Sequence, residues 1–122
     1  MNTLIIAGRV LYGGVMVIAG INNYLNLNVM ADITKSKGMP VPTFCVVIAS
    51  AICILGGLSI LANYHIKIGV LLIWTFLVPS TVVIHNFWTV EDPMLRGNEM
   101  GHFLKNLLIL AGALIILALP DP

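Results

Sequence analysis

Charge is what this chain has least of. Asp, Glu, Lys and Arg make up 9% of its 122 residues, and the net charge is +1. A water-soluble domain carries roughly 25% charged residues, so this chain lacks the surface that water requires. Its six Lys and Arg are scattered, which leaves no basic patch for nucleic acid. Acids are missing from every long apolar stretch: Asp32, Glu91, Asp92, Glu99 and Asp121 all stand outside them. That absence argues against a small proton-coupled exporter, which needs an embedded carboxylate. Cysteine is scarce too. Cys45 and Cys53 stand eight apart on one expected helix, which puts their Cα atoms about 12 Å apart. A disulfide needs less than about 7 Å. With no C-x-x-C pair, the two read as small packing residues and not as a membrane thiol oxidase centre. No Gly-rich phosphate loop, no paired catalytic carboxylates and no nucleophile–His arrangement can be read from the chain.

Apolar residues are there in excess, at 59%. They gather into four runs, at about 3–21, 43–62, 66–84 and 103–119. A helix needs about 20 mostly apolar residues to cross the hydrocarbon core, and each run approaches that length. Lipid offers the backbone no hydrogen bonds, so such runs must be helical, and strict barrel-type alternation is absent. A soluble all-α bundle is the competing reading, and it fails on charge. The first run holds Arg9 and lacks a basic start and a small-residue cleavage site, so it reads as a span and not as a signal peptide. The expected fold class is all-α membrane, an antiparallel bundle of four transmembrane helices in a single domain over 1–122, in the cell membrane.

The connections give the topology. Asn63-Tyr64-His65 is so short that the second and third spans must lie antiparallel side by side. The first loop holds a candidate interfacial helix at 30–35, ended by Gly38-Met39-Pro40-Val41-Pro42. The third loop is expected to run over about 86–101. Both termini then share one side with Lys67, whose stem can snorkel. Lys35, Lys37 and Arg96 lie on the other side, so the positive-inside count sends the two longer loops to the cytoplasm. Gly13 and Gly20 share a face of the first helix with Arg9 and Met16. Ala49, Cys53, Gly56, Gly57 and Gly112 offer further close-packing points.

Two places can carry chemistry. Arg9 is an ionisable residue inside a span, which is either functional or a snorkelling side chain about 9 Å along the helix from Thr3. The richer cluster lies at the opposite end. His85, Asn86 and Trp88 close the third helix there, and Glu99, His102, Lys105 and Asn106 open the fourth, with Asn22 and Asn23 on the same side. Spacings of three and four put Glu99 with His102, and His102 with Asn106, on shared helical faces. This set suits a polar head group such as a quinone carbonyl. The plainer reading is interfacial anchoring and loop capping, with Trp88 in an aromatic belt. Two histidines without a placed carboxylate or thiolate do not define a metal site, and a haem would need an axial His within a span, where His85 is marginal.

The chain resembles the DoxX family of small four-helix membrane proteins over nearly its whole length. Gly8-Arg9-Val10-Leu11-Tyr12-Gly13-Gly14 resembles the Arg and small residues that open the family's first helix. Lys37-Gly38-Met39-Pro40-Val41-Pro42 stands where a Gly-x-Pro element precedes the second, and Leu55-Gly56-Gly57-Leu58 carries its Gly-Gly pair. His85-Asn86-Phe87-Trp88 is similar to the His-x-Phe-Trp ending of helix three. Phe103-Leu104-Lys105-Asn106-Leu107-Leu108, followed by Ala111-Gly112, is similar to the Lys-Asn-Leu opening of helix four. The family often carries a Glu about where Cys53 stands. The resemblance implies a membrane subunit near quinone chemistry, since the family name comes from subunits linked to a terminal quinol oxidase and to thiosulfate:quinone oxidoreduction.

The expectation is therefore a multi-pass subunit of a redox assembly. It would bind quinone at His85, Asn86, Trp88, His102, Lys105 and Asn106, and Arg9 would make structural or lipid contacts. A membrane-associated redox protein or a second copy of the chain would be its partner within the bilayer. No cofactor motif is evident in the chain itself. The alternatives are a non-catalytic scaffold and a small-molecule transporter.

Overall fold

The computed structural model describes residues 3–119. Helix α1 spans Thr3–Leu25, α2 Leu27–Ser36, α3 Pro42–Ala62, α4 Ile66–Ile84 and α5 Pro93–Ala118. A single 3-10 turn, Phe87–Thr89, lies between α4 and α5. Four of these helices, α1, α3, α4 and α5, are long and apolar enough to cross a membrane. Large apolar side chains such as Leu11, Phe44, Leu71 and Leu108 point outward, as a lipid solvent requires.

Small residues hold the bundle together. The buried face of α1 is Arg9, Gly13, Met16 and Gly20, a stripe with helical spacing. Gly13 meets Gly57 of α3 backbone to backbone. A Cβ on Gly13 would come within 2.6 Å of the Gly57 carbonyl oxygen, and one on Gly57 within 2.7 Å of the Gly13 oxygen. Within lipid there is little hydrophobic drive between helices, so such close approach supplies the packing. Gly56 of α3 and Gly69 of α4 repeat the device one face round. The core then fills with Met16, Cys53, Ile60, Ile73, Leu110 and Ala113. Tyr12 joins α1 to α5 by donating to the Ile109 carbonyl at 2.6 Å, and its ring lies against Gly112. Both cysteines are free.

Two boundaries differ from the sequence reading. The first loop is largely helix: α1 continues through Asn22 and Asn23 to Leu25, and α2 covers more than 30–35. Asn22 and Asn26 bond one another and stay at the helix junction. The third loop is mostly helix as well, because α5 starts at Pro93 and not near 103. Asp92 caps it by accepting from the Met94 N–H at 3.0 Å, and Pro93 occupies the first turn, where its missing donor costs nothing. At 1.5 Å per residue α5 is about 39 Å long, so its first turns extend beyond a hydrocarbon core of about 30 Å. The α3–α4 hairpin is as short as expected. Ser59 Oγ donates to the Tyr64 and His65 carbonyls at 2.6 and 3.0 Å, which closes it.

Candidate functional site

The loop end of the bundle is built where α4 runs out and α5 begins. His85 is the C-cap of α4, and its Nδ1 lies 3.0 Å from Glu99 Oε2. An ionised carboxylate only accepts, so Nδ1 carries the hydrogen and Nε2 is left with its lone pair in the neutral ring. The His102 ring stacks on His85 with centroids 5.1 Å apart and planes 26° from parallel. Glu99 and His102 stand one turn apart on α5, so one helical face presents both partners to His85. Lys105, exposed, follows one turn further along. Loss of water around the ring, the Lys105 ammonium and His85 all lower the pKa of His102, against the opposing pull of Glu99.

An aromatic cluster borders this pair. Phe87, Trp88 and Phe103 meet edge to face, with centroids 5.3 to 5.8 Å apart. Trp88 keeps 55% of its surface exposed, so a ring face is available to a ligand or to lipid. Asn86 is held from the other side: Lys37 Nζ donates to its Oδ1 at 2.6 Å, which ties the end of α2 to the end of α4.

The expected residues are thus only partly brought together. His85, His102, Asn86 and Trp88 share one rim, and Lys105 acts on it through charge. Asn106 does not belong to the rim. It is buried between α5 and α4, where its Nδ2 donates to Thr81 Oγ1 at 3.1 Å, and Thr81 in turn donates to the Leu77 carbonyl at 2.6 Å. Asn22 and Asn23 take no part. Sequence reasoning placed Glu99 in this cluster, one turn before His102, without assigning it to the ligand site, and it missed two contributors. Phe103 was legible as the apolar neighbour of His102. Lys37 carried no signal, because it arrives from a helix 49 residues earlier in the chain. Among the described residues no group of three or more His, Cys, Asp and Glu comes together to hold a metal ion. Arg9 lies at the opposite end of the bundle, 4% exposed and between helices.

Neither a curated protein nor a solved structure matches the chain. The family model described as DoxX matches residues 4–86, which run from the start of α1 through α4 to Asn86. That stretch includes Arg9, both glycine contacts and His85, whereas the partners of His85 on α5 come after it. Matched over more than half its length, the chain belongs to the DoxX family.

Proposed function

We propose that this chain is a membrane subunit of a redox assembly that binds the head group of a quinone at the rim formed by His85, Glu99 and His102. The observation that carries the reading is the 3.0 Å contact between His85 Nδ1 and Glu99 beside an aromatic cluster at the edge of the apolar bundle. Quinol oxidation releases two protons and two electrons. His85 Nε2 accepts one proton from a quinol hydroxyl, the Glu99 carboxylate stabilises the imidazolium that results, and the second quinol proton passes to water at the exposed rim. Stacked His102 stays neutral beside it. Trp88 packs on the quinone ring, and the isoprenoid tail runs into lipid along the apolar helices. The electrons go to a redox protein docked on this subunit.

The test is quinone content. Protein purified gently from its own membrane should carry quinone, detected by mass spectrometry of the extracted lipids. His85→Ala and Glu99→Gln should both lose it while the protein still folds. Retention in both variants would remove the proposal and favour a second reading, a non-catalytic assembly subunit. That reading has its own support in Met94 and Leu95, 77% and 55% exposed on the turns of α5 that extend past the apolar stretch. It predicts a stoichiometric partner lost on Met94→Glu and Leu95→Glu, with no quinone dependence.

A further inference from the structure

The end of the bundle away from His85 holds a cleft of about 790 Å³, lined by Arg9, Asn63, His65, Lys67, Ile116 and Leu119 among others. Arg9 lies in its wall, 96% buried by its 4% exposure, and its Nε has no hydrogen-bond partner. A guanidinium is a permanent cation, and a buried one is stable only when an anion or acceptor answers it. No carboxylate does so among the described residues, because Asp32, Glu91, Asp92 and Glu99 all belong to the other end. The rest of the cleft adds positive potential. Lys67 brings a second cation. The first backbone bonds into α4 are made by Ile68 and Gly69, both to the His65 carbonyl at 3.0 and 3.1 Å. The N–H groups of Ile66 and Lys67 precede that ladder, at the positive end of the helix dipole, and both residues line the cleft.

We propose that this cleft binds a phosphate group, with the Arg9 guanidinium in its wall and Lys67 and the first turn of α4 as its rim. A phosphate presents the paired oxygens that a guanidinium grips in two parallel hydrogen bonds, and it suits the N–H groups of a helix start. Ile116 and Leu119 form an apolar wall beside it, which fits the glycerol and acyl portion of an anionic phospholipid better than a fully hydrated ion. Lysine and arginine pockets between spans hold anionic head groups in this manner. The site is independent of the quinone reading, because no residue is shared between the two ends.

The experiment reconstitutes the full chain in vesicles of phosphatidylcholine with phosphatidylglycerol, extracts it in mild detergent and measures retained lipid by native mass spectrometry. Wild-type protein should keep phosphatidylglycerol selectively. Arg9→Gln should weaken retention by about tenfold, the loss expected for one charged hydrogen-bonding group, and Arg9→Lys should restore part of it. Arg9 is buried, so its variants can fail to fold; exposed Lys67→Gln then serves, with a loss of about threefold expected for a rim charge. Lys35→Gln, at the other end, should change nothing. Inorganic phosphate that displaces the lipid would support the site and make the free ion a ligand; lipid that resists phosphate would support it as a lipid site. Equal retention of phosphatidylglycerol by wild-type, Arg9→Gln and Lys67→Gln protein would overturn the proposal. So would wild-type protein that retains no anionic lipid. Quinone content should stay the same in every one of these variants.

Discussion

Asn106 and Thr81 show how a polar pair survives inside the bundle. Thr81 donates to the Leu77 carbonyl and accepts from Asn106, so its hydroxyl is used in both directions. The two positions are not equivalent. In Asn106→Leu the Thr81 hydroxyl keeps its backbone acceptor, and little is left unpaired. In Thr81→Val the Asn106 amide stays buried with no acceptor, which costs about 1 to 3 kcal/mol. Unfolding in a mixed detergent should therefore rank Thr81→Val as the less stable variant. The same residue scale governs His102. Its pKa lies below the ordinary imidazole value, first through loss of water around the ring and next through the Lys105 ammonium. Removing that charge in Lys105→Gln should move the His102 titration upward, read by NMR of the ring protons. An unchanged titration would mean that the ammonium is too well solvated to act. Of these residues the sequence announced the histidines and Lys105 but put Asn106 at the wrong address. A four-residue spacing on one helix places two side chains near a common face; it does not say that one turns to solvent and the other between helices.

At the scale of the element, glycine decides where helices meet. Gly13 and Gly57 touch through their backbones, while Gly8 and Gly14 on the same helix meet nothing within 4 Å. Gly13→Ala must push α1 off α3, and overpacking of this kind costs about 1 to 3 kcal/mol. Gly14→Ala meets no obstacle and should instead stabilise α1 by up to about 1 kcal/mol through helix propensity. Opposite signs in denaturant titrations of the two variants would verify the contact; equal effects would deny it. This stripe was readable in the sequence, because Arg9, Gly13, Met16 and Gly20 recur with a helical period against an otherwise uniform apolar background. The start of α5 was not read, although Asp92-Pro93 is a helix-start signal. Hydropathy marks where a helix enters lipid, not where it begins. Its first turns, from Pro93 to His102, are helical but mix Arg96, Asn98, Glu99 and His102 with apolar residues.

The whole molecule is a four-span bundle with a differently charged polar rim at each end, and its orientation decides what each rim can do. Lys35, Lys37, Arg96 and Lys105 belong to the His85 end, while Arg9 and Lys67 belong to the end with the termini. Positive residues near short loops stay in the cytoplasm, and buried Arg9 faces a cleft instead of standing among them. The count therefore predicts that the His85 end is cytoplasmic. Under that arrangement the proposed quinone site would exchange its protons with the cytoplasm, and the proposed Arg9 site would take its lipid from the opposite leaflet. A chain with Cys45→Ala and Cys53→Ala, given one new cysteine by Glu91→Cys or Asn63→Cys, reads the orientation directly. Both positions are exposed, and they lie at opposite ends of the bundle. A membrane-impermeant maleimide added to intact cells should label Asn63→Cys at once and Glu91→Cys only after lysis. Reversed labelling would turn the molecule over and place the proposed quinone rim on the outer face. Labelling of both from outside would break the four-span topology itself. Sequence alone left this question balanced on a margin of two charges. The fold adds exposed Lys105 to the His85 end, which widens that margin by one in the same direction.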